Sequence, residues 1–88
     1  MAQDPDELVR NVGQRVSELR LTRGMTQERF AEAMGCSVQY VSRIEVGENL
    51  SLHTLVKIGN VLDVTVSELL EPPTGIIPEK KRGRPRKS

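Results

Sequence analysis

Apolar residues recur along this chain at three- and four-residue intervals and do not alternate with polar ones. That period is helical. Leu8, Val12, Val16 and Leu19 give a first helix one apolar face. Its start is signalled by Asp4 as a cap, Pro5 in the first helical position and Glu7 at capping-box spacing. Gly24 ends it. Gly13, inside the helix, marks a place where another backbone comes close. Thr26 caps a second helix with Phe30, Ala31 and Met34 inward, and Gly35 stops it. Ser37 caps a third, with Val38, Val41 and Ile44 wholly or partly inward, ending near Gly47. Ser51 caps a fourth, with Leu55, Ile58 and Leu62 on one side. Thr65-Val66-Ser67-Glu68 is a second capping box that opens a short fifth helix through Leu69 and Leu70. Pro72-Pro73 ends regular structure. The expected fold class is all-α, a compact five-helix bundle.

Composition agrees with that reading. The only aromatics are Phe30 and Tyr40, and there is no Trp. The core must therefore be Leu, Val, Ile and Ala, which suits a helical bundle better than a β-sandwich. Eighty-eight residues make one small domain. No apolar run approaches the ~20 residues of a membrane span, and no signal-peptide stretch opens the chain. Cys36 has no partner for a disulfide within the chain. A reducing cytoplasm is expected, with nucleoid association, or a nucleus if the source is eukaryotic.

The most specific signal lies between Gln27 and Val46. Two short helices are separated by only Gly35, Cys36 and Ser37. Ala31 is small enough for the second of them to cross close to the first. Gly35 permits a positive φ at the sharp turn. Phe30, Met34, Val41 and Ile44 supply the contacts that hold the crossing angle. This is the arrangement of a helix-turn-helix. Thr-Gln-Glu-Arg-Phe-Ala, the glycine turn and Tyr-Val-Ser-Arg-Ile-Glu-Val-Gly set it apart from a generic helical hairpin.

With those motifs, residues 12–70 resemble the Cro/phage-repressor type of helix-turn-helix, the XRE family, over about two thirds of the chain. The resemblance implies a sequence-specific domain that binds double-stranded DNA as a homodimer on two half-sites. Gln27 matches a family position that contacts a phosphate. Val38, Gln39, Ser42 and Arg43 match the groove-facing positions of the third helix. Gly47-Glu48-Asn49 matches a loop that approaches the DNA backbone. Ser37, Tyr40 and Asn49 join Gln27 as expected backbone contacts. Arg20 and Glu45 match a structural ion pair expected to tie the first helix to the third.

Side-chain chemistry suits these roles. Gln39 offers an amide donor and acceptor together, the pattern for adenine. Arg43 suits guanine O6 and N7, or a phosphate if it points outward. Val38 can meet a thymine methyl. Tyr40 has two readings, a phosphate contact through its hydroxyl or a ring laid on the protein. Gln27 stands at a helix N-terminus, where free N–H groups favour a phosphate. Glu48 departs from the family pattern, which often has Lys or Arg there, and an acid should weaken binding by repulsion.

Charge adds a second feature. Residues 1–70 hold seven basic and ten acidic residues, whereas residues 71–88 hold six basic and two acidic ones. A basic tail beside a mildly acidic body points to a polyanionic partner. Lys80-Lys81-Arg82-Gly83-Arg84-Pro85-Arg86-Lys87 resembles an AT-hook. The narrow minor groove of A·T-rich DNA has enhanced negative potential and lacks the guanine amino group. Gly83 lets the backbone approach the groove floor, Pro85 keeps it extended, and Arg82, Arg84 and Arg86 carry the charge. A polybasic tail that binds any polyanion, or a nuclear-import signal, is the plainer reading. The expected organisation is an N-terminal extension over 1–11, the DNA-binding domain over 12–71, a linker over 72–79 and the tail over 80–88.

Remaining residues have plainer roles. Cys36 reads as a small, partly buried hydrophobe, with a redox switch as the alternative. His53 has no partner for a metal site, so no metal and no cofactor are expected. Ile76-Ile77 either dock on the fifth helix or a second protomer, or are tolerated in the linker. Leu50, Leu52, Leu69 and Leu70 exceed the needs of so small a core, and a dimer interface would explain them. One His, one Cys and no glycine-rich phosphate loop leave no catalytic constellation, so the chain is not read as an enzyme. No small-molecule ligand and no membrane partner are evident. Two functions compete: a transcriptional regulator reading the major groove with its third helix, and an architectural or coactivator protein. In the second, the tail would bind A·T-rich DNA while the helical domain binds a protein.

Overall fold

The computed structural model describes residues 3–75. They form α1 (Pro5–Thr22), α2 (Gln27–Met34), α3 (Val38–Gly47), α4 (Leu52–Leu62) and α5 (Val66–Leu69). Among the described residues there is no strand. The helix starts lie where polar side chains can satisfy the first free N–H groups. Thr26, Ser37, Ser51 and Thr65 each accept from the N–H three residues on. Thr65 and Glu68 close the expected capping box. At α1 the cap differs from expectation. Asp4 accepts from Asp6 N at 3.0 Å, so the side chain closes two residues on and Glu7 stays exposed.

Val16, Phe30, Val41, Ile44, Ile58, Leu62 and Leu69 are fully buried. They come from all five helices, with Phe30 as the one large ring among branched aliphatics. Leu69, expected at a dimer surface, is thus part of the core. α5 has only four residues, too short to hold itself in water, so a buried leucine is what keeps it on the bundle. Leu50 is half-buried against the core, while Leu52 and Leu70 remain exposed.

α1 lies against α3 at a distance that only glycine allows. A Cβ on Gly13 would sit 2.5 Å from the Ile44 carbonyl oxygen and 2.8 Å from that of Glu45. The close backbone approach expected at Gly13 is present, and its partner is the second half of α3.

On another side of α1, about 140° round from Gly13 at 3.6 residues per turn, Glu18 is 5% exposed. Its carboxylate accepts from Thr74 N at 2.9 Å, Thr74 Oγ1 at 3.0 Å and Gly75 N at 2.6 Å. Arg15 pairs with it at 3.6 Å and also donates to the Glu68 carbonyl at 3.0 Å. The chain after Pro72-Pro73 is therefore fastened back onto α1. Thr74 and Gly75, within the segment read as a linker over 72–79, are thus bonded to α1.

Burial pushes the Glu18 carboxyl pKa up. The Thr74 and Gly75 N–H groups, the Thr74 hydroxyl and the Arg15 charge outweigh burial and leave it below the usual value. A carboxyl whose pKa is depressed by folding stabilises the fold above its unfolded pKa, about 4.3. That contribution disappears as pH falls through the lower folded value. Glu18→Gln presents an N–H₂ to backbone donors and should cost about 1–2 kcal/mol at neutral pH. In thermal unfolding the loss is roughly 5–15 °C. The gap between variant and parent should be constant from pH 6 to 8 and close below about pH 4. A gap that widens on acidification would contradict this account.

Candidate nucleic-acid interface

The turn between α2 and α3 is built by Gly35, Cys36 and Ser37. Gly35 takes a left-handed conformation at φ 72°, ψ 34°, which costs a residue with a Cβ. Cys36 N then reaches the Ala31 carbonyl at 3.0 Å. Ser37 caps α3 by accepting from Tyr40 N at 3.0 Å. Ala31 is buried, and Met34, Val41 and Ile44 close the angle between the helices. Cys36 itself is half-buried, as expected for a small hydrophobe in the turn.

α3 is held along one flank by a polar network. Arg20 on α1 forks onto Glu45, with Nε to Oε2 at 2.6 Å and Nη2 to Oε1 at 3.2 Å. Its Nη1 donates to the Met25 carbonyl at 2.7 Å. Arg20 and Glu45 side chains are 9% and 10% exposed, so the expected ion pair is present and largely out of water. The network continues beyond that pair. Gln27 Nε2 donates to Glu45 Oε1 at 3.1 Å, and Ser42 Oγ donates to Gln27 Oε1 at 3.4 Å. One charged cluster thus joins α1, the start of α2 and the middle of α3.

This changes the part Gln27 can play. Its amide is oriented by Glu45 and Ser42, and one of the two Nε2 hydrogens is already used. The N-terminus of α2 stays an anion-favouring end, with Gln27 as a fixed part of it. Ser42 is half-buried and faces this network.

Gln39 and Arg43, one turn apart on α3, are exposed, with the Arg43 side chain at 63%. Val38 is half-buried and packed against the core, as is Tyr40. The Tyr40 ring lies on the protein, and the Arg43 guanidinium carbon stands 5.4 Å from its centroid. Asn49 and Ser37 are exposed. Sequence reasoning missed Val46, which is 77% exposed. It stands three residues from Arg43 and seven from Gln39, on the same side of α3. The signal was available, since Val46 is out of step with Val41 and Ile44.

Glu48 does not simply face outward. Its Oε1 lies 3.8 Å from Arg43 Nε. Ser42, Arg43, Val46, Gly47 and Glu48 line a shallow concavity at the end of α3.

Away from α3, Leu52 and Val56 are 75% and 50% exposed on α4, next to His53 and Lys57. Among the described residues no group of His, Cys, Asp or Glu side chains could hold a metal ion. Nor is any helix there long and apolar enough to cross a membrane. Arg82, Gly83, Arg84, Pro85 and Arg86, and with them Ile76-Ile77, lie outside the described residues.

Comparison with known proteins bears on this arrangement. A helix-turn-helix family model, HTH_3, matches residues 16–69. The uncharacterized HTH-type transcriptional regulator YazB of Bacillus subtilis is 36% identical over 61 residues, spanning 68% of this chain and 88% of its own. Among solved structures, the restriction-modification controller protein C.AhdI of Aeromonas hydrophila has a TM-score of 0.65 at 39% identity. The match covers 72% of this chain and 96% of that one. The biofilm master regulator SinR, solved in complex with DNA, has a TM-score of 0.63 at 37% identity, covering 68% and 98%. This chain spans 56% of the full-length SinR of Bacillus subtilis. The matches coincide with the helices that carry the glycine turn, the Arg20–Glu45 pair and the exposed face of α3, and the chain belongs to the HTH_3 helix-turn-helix family.

Proposed function

We propose that the chain is a DNA-binding transcriptional regulator that reads a specific sequence with α3 in the major groove. The observation that carries this is the exposure of Gln39 and Arg43 on one face of a helix whose opposite face is buried through Val41 and Ile44 and whose flank is fixed by the Arg20–Glu45–Gln27–Ser42 network. Reading side chains work only when their helix is rigid and their supporting shell is satisfied. The structure of SinR in complex with DNA, similar to this fold, supports the reading. Gln39 is assigned to adenine and Arg43 to guanine. Ser37, the Gln27 end of α2 and Asn49 are assigned to phosphates, with Tyr40 as the platform under Arg43.

The functional unit is a homodimer on half-sites about 34 Å apart. Exposed Leu52, Val56 and Leu70 supply apolar surface for it. The basic tail adds charge that the domain lacks. Gly75, which precedes it, is held by Glu18 on α1. Seven residues from Gly75 to Arg82 span at most about 25 Å.

Selection from random duplex DNA tests the reading. The full chain should yield a palindromic motif with A·T-rich flanks. Replacing Arg82, Arg84 and Arg86 by Gln should keep the motif and lose the flanks, with a log–log salt slope smaller by about two to three units. Gln39→Ala and Arg43→Ala should each cost about 1–3 kcal/mol on the selected site and relax one base position. The second reading, in which the tail alone binds DNA, is favoured by the acidic balance of residues 1–70. It predicts A·T bias without a motif, and no effect of Gln39→Ala or Arg43→Ala.

A further inference from the structure

We propose that Glu48 is a specificity-determining residue that acts through Arg43, holding down both operator affinity and the preference for guanine. This rests on the reading of α3 as the major-groove helix. In the free protein the Glu48 carboxylate lies 3.8 Å from Arg43 Nε, and the guanidinium stands over the Tyr40 ring at 5.4 Å. The reading arginine therefore already has an ion-pair partner and a platform within its own chain.

The position of Glu48 is set by backbone packing. Gly47 takes φ 135°, and a Cβ there would sit 3.3 Å from Arg10 Cγ and 3.5 Å from Arg10 Cα on α1. Glu48 follows as the extended C-cap of α3, at φ −112°, ψ 136°. With its backbone placed by α1, and its side chain 38% exposed, the carboxylate stays within reach of Arg43.

The consequence follows from counting states. On this proposal Arg43 leaves Glu48 as it turns to guanine, where it gains a bidentate contact. When it meets a base with one acceptor or none, it stays with Glu48 and gives up nothing. The pair therefore subtracts from the guanine complex and leaves the mismatched complex alone, which narrows the difference between them. Exposed ion pairs of this kind are weak, so the subtraction amounts to a few-fold in binding. Glu48 repelling phosphates in general, the expectation from sequence alone, makes a different prediction. It would penalise every duplex equally and would not need Arg43.

A four-protein comparison separates the two. Full-length parent, Glu48→Gln, Arg43→Gln and the double variant are titrated against the selected operator and against the same duplex with the Arg43 guanine replaced by adenine. We expect Glu48→Gln to tighten operator binding by roughly two- to five-fold and to tighten the adenine duplex less. In the Arg43→Gln background the Glu48 substitution should change neither. Equal tightening on both duplexes, persisting without Arg43, would overturn the proposal in favour of plain repulsion. So would no change at all, or weaker operator binding, in Glu48→Gln. If the parent itself selects no sequence, the reading of α3 fails, and the role of Glu48 falls with it. If the parent selects a site and only the cycle fails, α3 still reads DNA and Glu48 alone is misassigned.

Discussion

Gly13→Ala is expected to destabilise the domain and abolish tight operator binding, although alanine is the better helix former. In the interior of an exposed helix the exchange would gain about 1 kcal/mol. Here the added Cβ would lie 2.5 Å from one carbonyl oxygen of α3 and 2.8 Å from the next. Neither obstacle is the far end of a side chain that can swing away. Relief requires α1 and α3 to separate by several tenths of an ångström along their contact. That movement loosens Val16 against Val41 and Ile44, which are all fully buried. Overpacking of this kind costs about 1–3 kcal/mol, and backbone obstacles on both sides place Gly13 at the upper end. The net loss should be about 2 kcal/mol, or roughly 10 °C in Tm. Operator affinity should fall by more than the stability change implies, because α3 itself is the helix displaced. A Gly13→Ala protein with raised Tm and unchanged affinity would show that the contact is softer than its geometry indicates.

Gly13 also shows what the sequence disclosed. A glycine inside a strongly periodic helix has few structural reasons to be there, and close approach of another backbone is one of them. The caps at Thr26, Ser37, Ser51 and Thr65, and the glycine turn at Gly35, were readable for a similar reason. Each is a local rule satisfied within a few residues. The Arg20–Glu45 pair came from resemblance, since no local rule links residues 25 apart. The Glu18 clasp was not readable at all. Its donors lie 56 and 57 residues away, and a Glu followed three turns later by nothing unusual looks like any solvated helix face. Leu69 was misplaced because counting apolar residues in a short final helix cannot say which of two adjacent leucines turns inward. Val38 is partly inward, as its place in the apolar pattern suggested, whereas Val46 drew no attention. The family pattern drew attention to the start of α3, and the exposure of Val46 near its end went unread.

The second large effect concerns the Arg20–Glu45 pair, where stability and DNA reading should come apart. Glu45→Ala leaves the Arg20 guanidinium, 9% exposed, with the Met25 carbonyl as its remaining acceptor among those observed. Breaking one side of a buried pair costs about 3–5 kcal/mol, because the abandoned charge stays buried. Arg20→Ala should be similarly severe. Joint replacement by Arg20→Met and Glu45→Leu removes both charges and fills their space with apolar atoms. Buried pairs replaced in this way are often as stable as the original, so the double variant should recover most of the lost Tm. Its operator affinity should not recover. Glu45 Oε1 also receives Gln27 Nε2, and Gln27 Oε1 receives Ser42 Oγ. Without the carboxylate, Gln27 loses the bond that orients its amide at the start of α2, and Ser42 loses a defined acceptor on α3. Thermal unfolding and operator titration on the same four proteins measure both quantities. A double variant with parental Tm and parental affinity would mean that the network only supports the fold. A double variant with parental Tm and affinity reduced tenfold or more would mean that the buried charge is kept for its hold on Gln27 and Ser42, at a cost in stability that apolar packing would have avoided.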